Sequence, residues 1–582
     1  MVPDELGISL GKAIEKSAEL KSTYQGDPEV KELLDLAQRI EGLARNVGTH
    51  AAAVVISDKP LTEYVPLGRV SGKEDVITQW SMGDVEDAGL LKMDFLGLRN
   101  LTILRLAVDM IQQSRGETID PLKFPLDDGA TFALLQRGET KGVFQLESGG
   151  IRDLLQKMKP DHFHDIIATN ALYRPGPLEG GMVQDYIDVK HGRKQAEYLH
   201  PVLEEILGET NGVMVYQEQV MRILNRLGNI PLASAYTCIK AISKKKEALI
   251  AQNMDTFLTG AVEKGLSKKD AQEFWNMILK FAGYGFNKSH STAYALIAYQ
   301  TAYLKAHYPV EFMAALLSGD IPGRNFVRKD SLVEHLEDCQ RMEIEVVPPD
   351  VNHSFVDFGV SEGKILFGLA AIKGCGGSAS ESIVAERKKN GPFRDIFEFC
   401  ERVESSNCNR STIETLIKAG AFDSMGAKRS QIHSVLEKAI QAGAARQADL
   451  KAGQISLFGD MGAEASGAAD EVMLPDVPEW DERESLAFEK EVLGFYLSSH
   501  PLATYEKQLR SFCSHTTTTL KDVKDREEVF MGGMVASVKH SHVKKVRDPG
   551  SPTKYVMFDL EDMDGAIRSI QWPKDFAVSG HQ

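Results

Sequence analysis

Lys92 and Asp94 stand two residues apart in an otherwise apolar run, Gly89-Leu90-Leu91-Lys92-Met93-Asp94-Phe95-Leu96-Gly97-Leu98. On a strand, successive side chains alternate faces, so Lys92 and Asp94 share one side while Met93 and Phe95 are expected to enter a core. An unpartnered buried carboxylate is costly; Asp94 therefore pairs with Lys92, accepts hydrogen bonds or holds a cation. Lys92 in turn either neutralises Asp94 or lies against a reacting phosphate. Other cations have the setting of anion binders. Arg174 precedes Pro175-Gly176-Pro177 on what reads as a stiff loop, and its guanidinium fork suits phosphate oxygens; a salt-bridged arginine at a loop start is the alternative. Lys288-Ser289-His290-Ser291 follows Gly283-Tyr284-Gly285 and precedes an apolar helix expected from about Thr292. A lysine, hydroxyls and free amides at a helix N-terminus make an anion site, although Ser289 also has a plain use as a cap.

These side chains need elements to carry them. Residues 1 to about 48 read as helices, with Asp27-Pro28 as a start signal before Glu29-Val30-Lys31-Glu32-Leu33-Leu34-Asp35-Leu36. His50-Ala51-Ala52-Ala53-Val54-Val55-Ile56-Ser57 suits a buried strand, expected to share a sheet with the strand around Asp94. Apolar periodicity makes residues 100 to about 320 mainly helical, and short helices around two glycine turns, at 374–377 and 420, follow to about 440. Residues 440–480, rich in Ala, Gly and Asp, read as a flexible linker; a helical piece at 483–500 and alternating strands at 528–572 complete the chain.

Several long words resemble, in order, the C-family polymerases, the alpha subunits of bacterial replicative DNA polymerase III. They are Gln79-Trp80-Ser81-Met82-Gly83-Asp84-Val85-Glu86, Asp94-Phe95-Leu96-Gly97-Leu98-Arg99, Gly142-Val143-Phe144-Gln145-Leu146-Glu147-Ser148, Leu172-Tyr173-Arg174-Pro175-Gly176-Pro177, Val215-Tyr216-Gln217-Glu218-Gln219-Val220-Met221 and Gly283-Tyr284-Gly285-Phe286-Asn287-Lys288-Ser289-His290-Ser291. The resemblance implies an α+β multidomain chain, mainly helical: end of thumb at 1–48, second palm segment of a nucleotidyltransferase-like sheet at 49–105, fingers at 106–320, a helix-hairpin-helix region at 321–440, a linker at 441–480, a helical connector at 481–520 and a truncated OB-fold at 521–582.

In that family three aspartates hold two magnesium ions, and Asp94 matches the third. The first two belong to an Asp-x-Asp motif with no counterpart here; Asp559-Leu560-Glu561-Asp562 and Asp562-Met563-Asp564 lie in the wrong region. The resemblance thus implies a DNA-directed DNA polymerase whose metal site is incomplete in this chain, inactive alone. The rival expectation is a non-catalytic DNA- and clamp-binding fragment. Arg174, Lys240, Lys244, Lys288, Ser289 and His290 would take the incoming dNTP. Where the family has paired arginines, this chain has Ile239 and Lys240, ahead of Lys244-Lys245-Lys246. Bidentate phosphate recognition at 239 is lost. His50 matches a palm position, with a structural hydrogen bond as its ordinary use.

Lys373, Gly374 and Gly376 match the hairpin whose bare amides approach DNA phosphates, an approach that reads no sequence; a helix C-cap accounts for the glycines equally well. Gln454, Leu457 and Phe458, in Gln454-Ile455-Ser456-Leu457-Phe458, resemble the internal sliding-clamp motif. The implied partners are primer-template DNA, dNTPs, the clamp and other holoenzyme subunits, in the cytoplasm.

Composition agrees with a soluble globular chain: 43% hydrophobic, 26% charged, with no apolar run long enough to cross a bilayer. The six cysteines have no zinc-like spacing and read as reduced packing residues. A net charge of −16 argues against DNA binding until it is resolved along the chain: residues 231–310 carry ten lysines against five acids, residues 451–490 ten acids against three basic residues.

Overall fold

The structure is a computed structural model that describes residues 1–3, 8–43, 48–50, 52–70, 74–243, 246–282, 285–322, 331–451, 474–524, 526–543 and 552–579. It divides into two compact units, Met1–Leu98 and Arg99–Gln582.

The first unit opens with helices Leu10–Lys16, Ala18–Gly26 and Pro28–Ile40, whose first turns are capped by Ser9, Ser17 and Asp27. Ala13, Ile14 and Leu20 form their small shared core. Strands Ala53–Ile56 and Leu91–Asp94 pair antiparallel, Ala53 opposite Asp94 and Val55 opposite Lys92, as the two apolar runs require. One expectation fails. Met93 is exposed and Phe95 is 66% exposed, because the local core of Val65, Val85 and Leu90 takes Val55, on the Lys92 side of the pair. Val54, Ile56, Leu91 and Met93 line the opposite, uncovered face.

The second unit is mainly helical, with small sheets. Helix Arg99–Arg115 packs along Pro309–Gly319, and Ile103, Leu104, Ala107 and Ile111 join Phe312, Met313 and Leu316 in a core that continues through the glycine hairpins to Leu493. Helix Lys288–His307 crosses Phe163–Leu172 and Gly129–Arg137, fixed by the buried Ser291 hydroxyl donating to the Ile167 carbonyl at 2.7 Å. A separate core, centred on Trp275, Phe257 and Leu224, unites the helices between Pro201 and Ala282. A helix passes close to a turn there: a Cβ on Gly260 would fall 2.7 Å from the backbone of Gly228, just beyond helix Gln217–Arg226.

Two elements depart from expectation. Val346–Val347, Lys364–Leu366 and Gly359–Ser361 form a three-stranded sheet, too short to show an alternating pattern. Helix Arg429–Lys451 runs into the stretch read as a flexible linker, since alanine-rich sequence without proline favours helix. Towards the C-terminus helix Glu482–Leu493 is followed by an antiparallel meander, Met534–His542, Lys554–Glu561 and Ala566–Gln571, bulged between Val535 and Ser537. Among the described residues no helix is long and apolar enough to cross a membrane.

Candidate functional site

Asp94 and Lys92 share a face, as alternation demands, and meet directly: Lys92 Nζ donates to both carboxylate oxygens at 2.7 and 2.9 Å. The Asp94 side chain remains 42% exposed. The Lys92 contact holds its carboxyl below the usual carboxylate range, with a smaller contribution from His50. His50 itself has a structural use: its Nδ1 accepts the Ala52 N–H at 3.2 Å. Among the described residues Asp94 belongs to no group of three potential metal ligands. The group that exists, Asp161, His162 and Asp165, is filled by Lys190, whose Nζ lies 2.5 and 2.8 Å from the two carboxylates. Asp559 pairs with Arg568, and Asp562 accepts the Asp564 and Gly565 amides of its own turn, so neither stands in for an Asp-x-Asp motif.

In the second unit four of the expected phosphate binders come together. Phe286 forms an isolated parallel bridge with Tyr216, which brings two distant loops side by side. Arg174 stands at the head of the short helix Pro175–Glu179 and lays its guanidinium over the Phe286 ring, 4.5 Å from the centroid. His290 meets Phe286 edge-on at 5.5 Å and packs on Tyr294 at 4.2 Å. Lys288 extends over Tyr216, 5.5 Å from its centroid. Arg174, Ser289 and His290 are exposed at this surface.

The helix begins at Lys288, four residues before the expected Thr292, because Asn287 is its cap. Asn287 Oδ1 accepts the His290 amide at 2.8 Å and the Ser289 hydroxyl at 2.6 Å, so Ser289 is not the cap. The amide of Lys288 is not free: Glu218 Oε2 accepts it at 2.9 Å, while Glu218 Oε1 accepts from Asn287 Nδ2 at 2.9 Å. Glu209 lies 2.7 Å from Lys288 Nζ. Two carboxylates thus occupy the places at which a helix N-terminus and a lysine would otherwise meet an anion. Sequence reasoning missed Asn287, Glu218 and Glu209; the Asn287-to-His290 spacing is a readable N-cap signal.

Lys240 is exposed and covers the Tyr236 ring at 4.5 Å, and no contact links it to Arg174 or Lys288 among the described residues. Ile239 beside it is 3% exposed within the Trp275 core, which accounts for an apolar residue there. Burial pushes the neighbouring Cys238 thiol up to about 11. Lys244, Gln454, Leu457 and Phe458 lie outside the described residues.

At the first glycine hairpin, Gly374 has φ +89° and Gly376 caps helix Gly377–Asn390; both are exposed. The Lys373 amide donates to the Val492 carbonyl at 2.9 Å, which ties the turn to helix Glu482–Leu493. A Cβ on Gly374 would meet Thr415 Oγ1 at 3.2 Å, whereas one on Gly376 would meet nothing within 4 Å. The Gly376 position is therefore open to solvent, with room for a side chain.

Residues 100–265 match the family model described as the bacterial DNA polymerase III alpha subunit finger domain, residues 1–97 the bacterial DNA polymerase III alpha NTPase domain, and residues 343–432 a helix-hairpin-helix motif. Among curated relatives, the DNA polymerase III subunit alpha of Pasteurella multocida (strain Pm70) is 41% identical over 580 residues, covering 97% of this chain and 49% of the relative. That of Escherichia coli (strain K12) is 39% identical over the same length, with the same coverage. That of Mycobacterium tuberculosis (strain ATCC 25618 / H37Rv) is 40% identical over 575 residues, 97% of this chain and 47% of the relative. The chain spans about half the length of these relatives.

Proposed function

Because this chain belongs to the family of bacterial DNA polymerase III alpha subunits, we propose that it takes part in template-directed DNA synthesis and supplies the surface that receives the triphosphate of an incoming dNTP. The observation that carries this reading is the convergence of Arg174, Lys288, Ser289 and His290 at the N-terminus of a 20-residue helix. Nucleotidyl transfer consists largely of positioning and of neutralising phosphate charge, and these side chains do both. Arg174 presents a planar fork held flat by Phe286; Lys288 leaves Glu209 for a phosphate oxygen; His290 and Ser289 add rotatable donors. Lys240 and Lys244 are the remaining candidate nucleotide binders of the fingers.

Asp94 and Lys92 mark the primer end of the reaction. A magnesium ion would find in Asp94 a ligand of the right kind and, among the described residues, one carboxylate where two ions need several. When bound, such an ion would neutralise charge at the transferring phosphate. Asp94 and Lys92 themselves orient the primer end and set the charge beside it. By the same reading, residues 1–48 end the thumb, 49–105 form the second palm segment, 106–320 the fingers, 321–440 the helix-hairpin-helix region and 521–582 part of an OB-fold. The partners are primer-template DNA, the sliding clamp at Gln454, Leu457 and Phe458, and other holoenzyme subunits.

Arg174→Lys keeps the charge and removes the fork; the KM for dNTP is expected to rise about tenfold or more, with the unfolding temperature unchanged. An unaltered KM in steady-state primer extension removes Arg174 from the phosphate site. At the hairpin, Gly376→Ala fills open space and is expected to weaken duplex binding several-fold at constant stability. Gly374→Ala is expected to cost about 1–2 kcal/mol of stability through its left-handed backbone. Fluorescence anisotropy with labelled duplex, beside thermal unfolding, separates the two; duplex affinity unchanged by Gly376→Ala removes that amide from the DNA surface.

A further inference from the structure

The two carboxylates beside the candidate phosphate surface are held in different ways. Glu218 accepts the Lys288 amide and Asn287 Nδ2, both at 2.9 Å, and so belongs to the cap that starts helix Lys288–His307. It cannot leave without loosening the helix head. Glu209 instead meets the end of a long side chain, Lys288 Nζ, at 2.7 Å, and the Glu209 and Lys288 side chains are 32% and 33% exposed. An ion pair this open to water is weak and exchangeable.

The turn that carries Glu209 stands without its side chain. Gly208–Thr210 is a short 3-10 helix fixed by the Thr210 hydroxyl, which donates to the Val213 carbonyl at 2.6 Å and accepts from Gln219 Nε2 at 2.7 Å, and by the Gly212 amide donating to the Leu207 carbonyl at 2.9 Å. Lys288 is likewise supported from below, by the buried Tyr216 ring at 5.5 Å. Burial first, then the charges of Glu209, Asp165 and Glu218, push the Tyr216 hydroxyl upward, so the ring stays uncharged at neutral pH. Among the described residues, Glu209 is the anion in contact with the lysine.

We propose that Glu209 is a positioning residue that gates Lys288: it cedes the lysine to the triphosphate of an incoming dNTP and recaptures it from pyrophosphate, which shortens the stay of the product. The inference rests on the reading of Lys288 as a phosphate binder. Nucleotidyl transfer leaves pyrophosphate, a polyanion without base or sugar, so its grip comes from cations. A carboxylate that competes for one of those cations weakens the grip directly. The same competition weakens dNTP binding by a similar factor, so the device exchanges substrate affinity for product release.

The test follows primer extension on a defined template by a preparation that holds this chain and the family's Asp-x-Asp segment, with pyrophosphate added as inhibitor. Glu209→Gln is expected to lower the pyrophosphate inhibition constant and the KM for dNTP about three- to fivefold, to slow pyrophosphate release after a single turnover by a similar factor, and to leave the unfolding temperature where it was. A merely structural role gives the opposite sign, weaker binding. In Lys288→Met the change at Glu209 is expected to have no further effect, because the pair no longer exists. Inhibition and release unchanged in Glu209→Gln overturn the proposal, as does weaker inhibition, or a tightening that persists in the Lys288→Met background and so acts independently of the lysine. Glu209→Ala repeats the measurement should the glutamine amide still hold the lysine. Failure of the underlying reading is separate: Lys288→Met alone then leaves pyrophosphate inhibition and KM as they are in the unaltered protein.

Discussion

Replacing Asp94 with Asn is expected to lower template-directed primer extension by about a thousandfold or more, while dNTP and duplex affinities change by less than about threefold. Asn keeps the shape and removes the charge. The side chains of Lys92 and Asp94 are 17% and 42% exposed, and a pair open to solvent on one side contributes about 1 kcal/mol or less, so thermal unfolding should move little. The Lys92 contact holds Asp94 below the usual carboxylate range, which keeps the carboxylate ionised throughout neutral pH. Lys92→Met provides the discriminating comparison. Were Asp94 present only to pair with Lys92, both variants would keep activity. If the carboxylate serves the reacting end, Asp94→Asn loses activity in single-turnover extension and Lys92→Met loses no more than it does.

The second large effect is on stability. Asp338→Ala is expected to destabilise the second unit by about 3–5 kcal/mol, because it strands a buried charge. Lys305 and Asp338 side chains are both 0% exposed, their charged atoms 2.6 Å apart. Lys305 also donates to the Lys141 carbonyl at 2.7 Å, and Arg341 lies 2.7 Å from the other Asp338 oxygen. Burial raises the Asp338 pKa, but Lys305 and Arg341 more than offset it, leaving the folded value below the ordinary 3.8. A depressed carboxylate pKa gives stability that is complete above the ordinary value and is lost as pH falls through the folded one. Denaturant unfolding at pH 7 should therefore show the full loss in Asp338→Ala, and the gap from the unaltered protein should narrow only below about pH 4. A change under 1 kcal/mol at pH 7 would falsify the account of a stranded lysine. Lys305 ties the helix that begins at Lys288 to Lys141 and Asp338, so this pair also steadies the helix that carries the proposed phosphate surface.

Local chemistry and long-range covering differ in how far the sequence reveals them. The pairing of the runs at 53–56 and 91–94 was legible because apolar strands seek each other, and the Lys92–Asp94 contact followed from alternation. The exposure of Met93 and Phe95 was not legible, since what covers a face depends on distant residues. The candidate phosphate binders at 174 and 288–290 stood out by type, yet their meeting depends on the bridge of Tyr216 to Phe286, which no local pattern encodes. The counter-ions Glu209 and Glu218 were hidden for the same reason. Ile239 shows the converse. Against a family pattern it reads as a lost arginine; within the Trp275 core it is a packing residue.

The most direct test of the central claim is nucleotide addition to a primer on a defined template, by this chain in a preparation that also holds the family's Asp-x-Asp segment. The complementary nucleotide alone is expected to be added efficiently, with addition lost in Asp94→Asn and slowed through KM in Arg174→Lys. Addition that ignores the template, or that persists unchanged in Asp94→Asn, would contradict the claim.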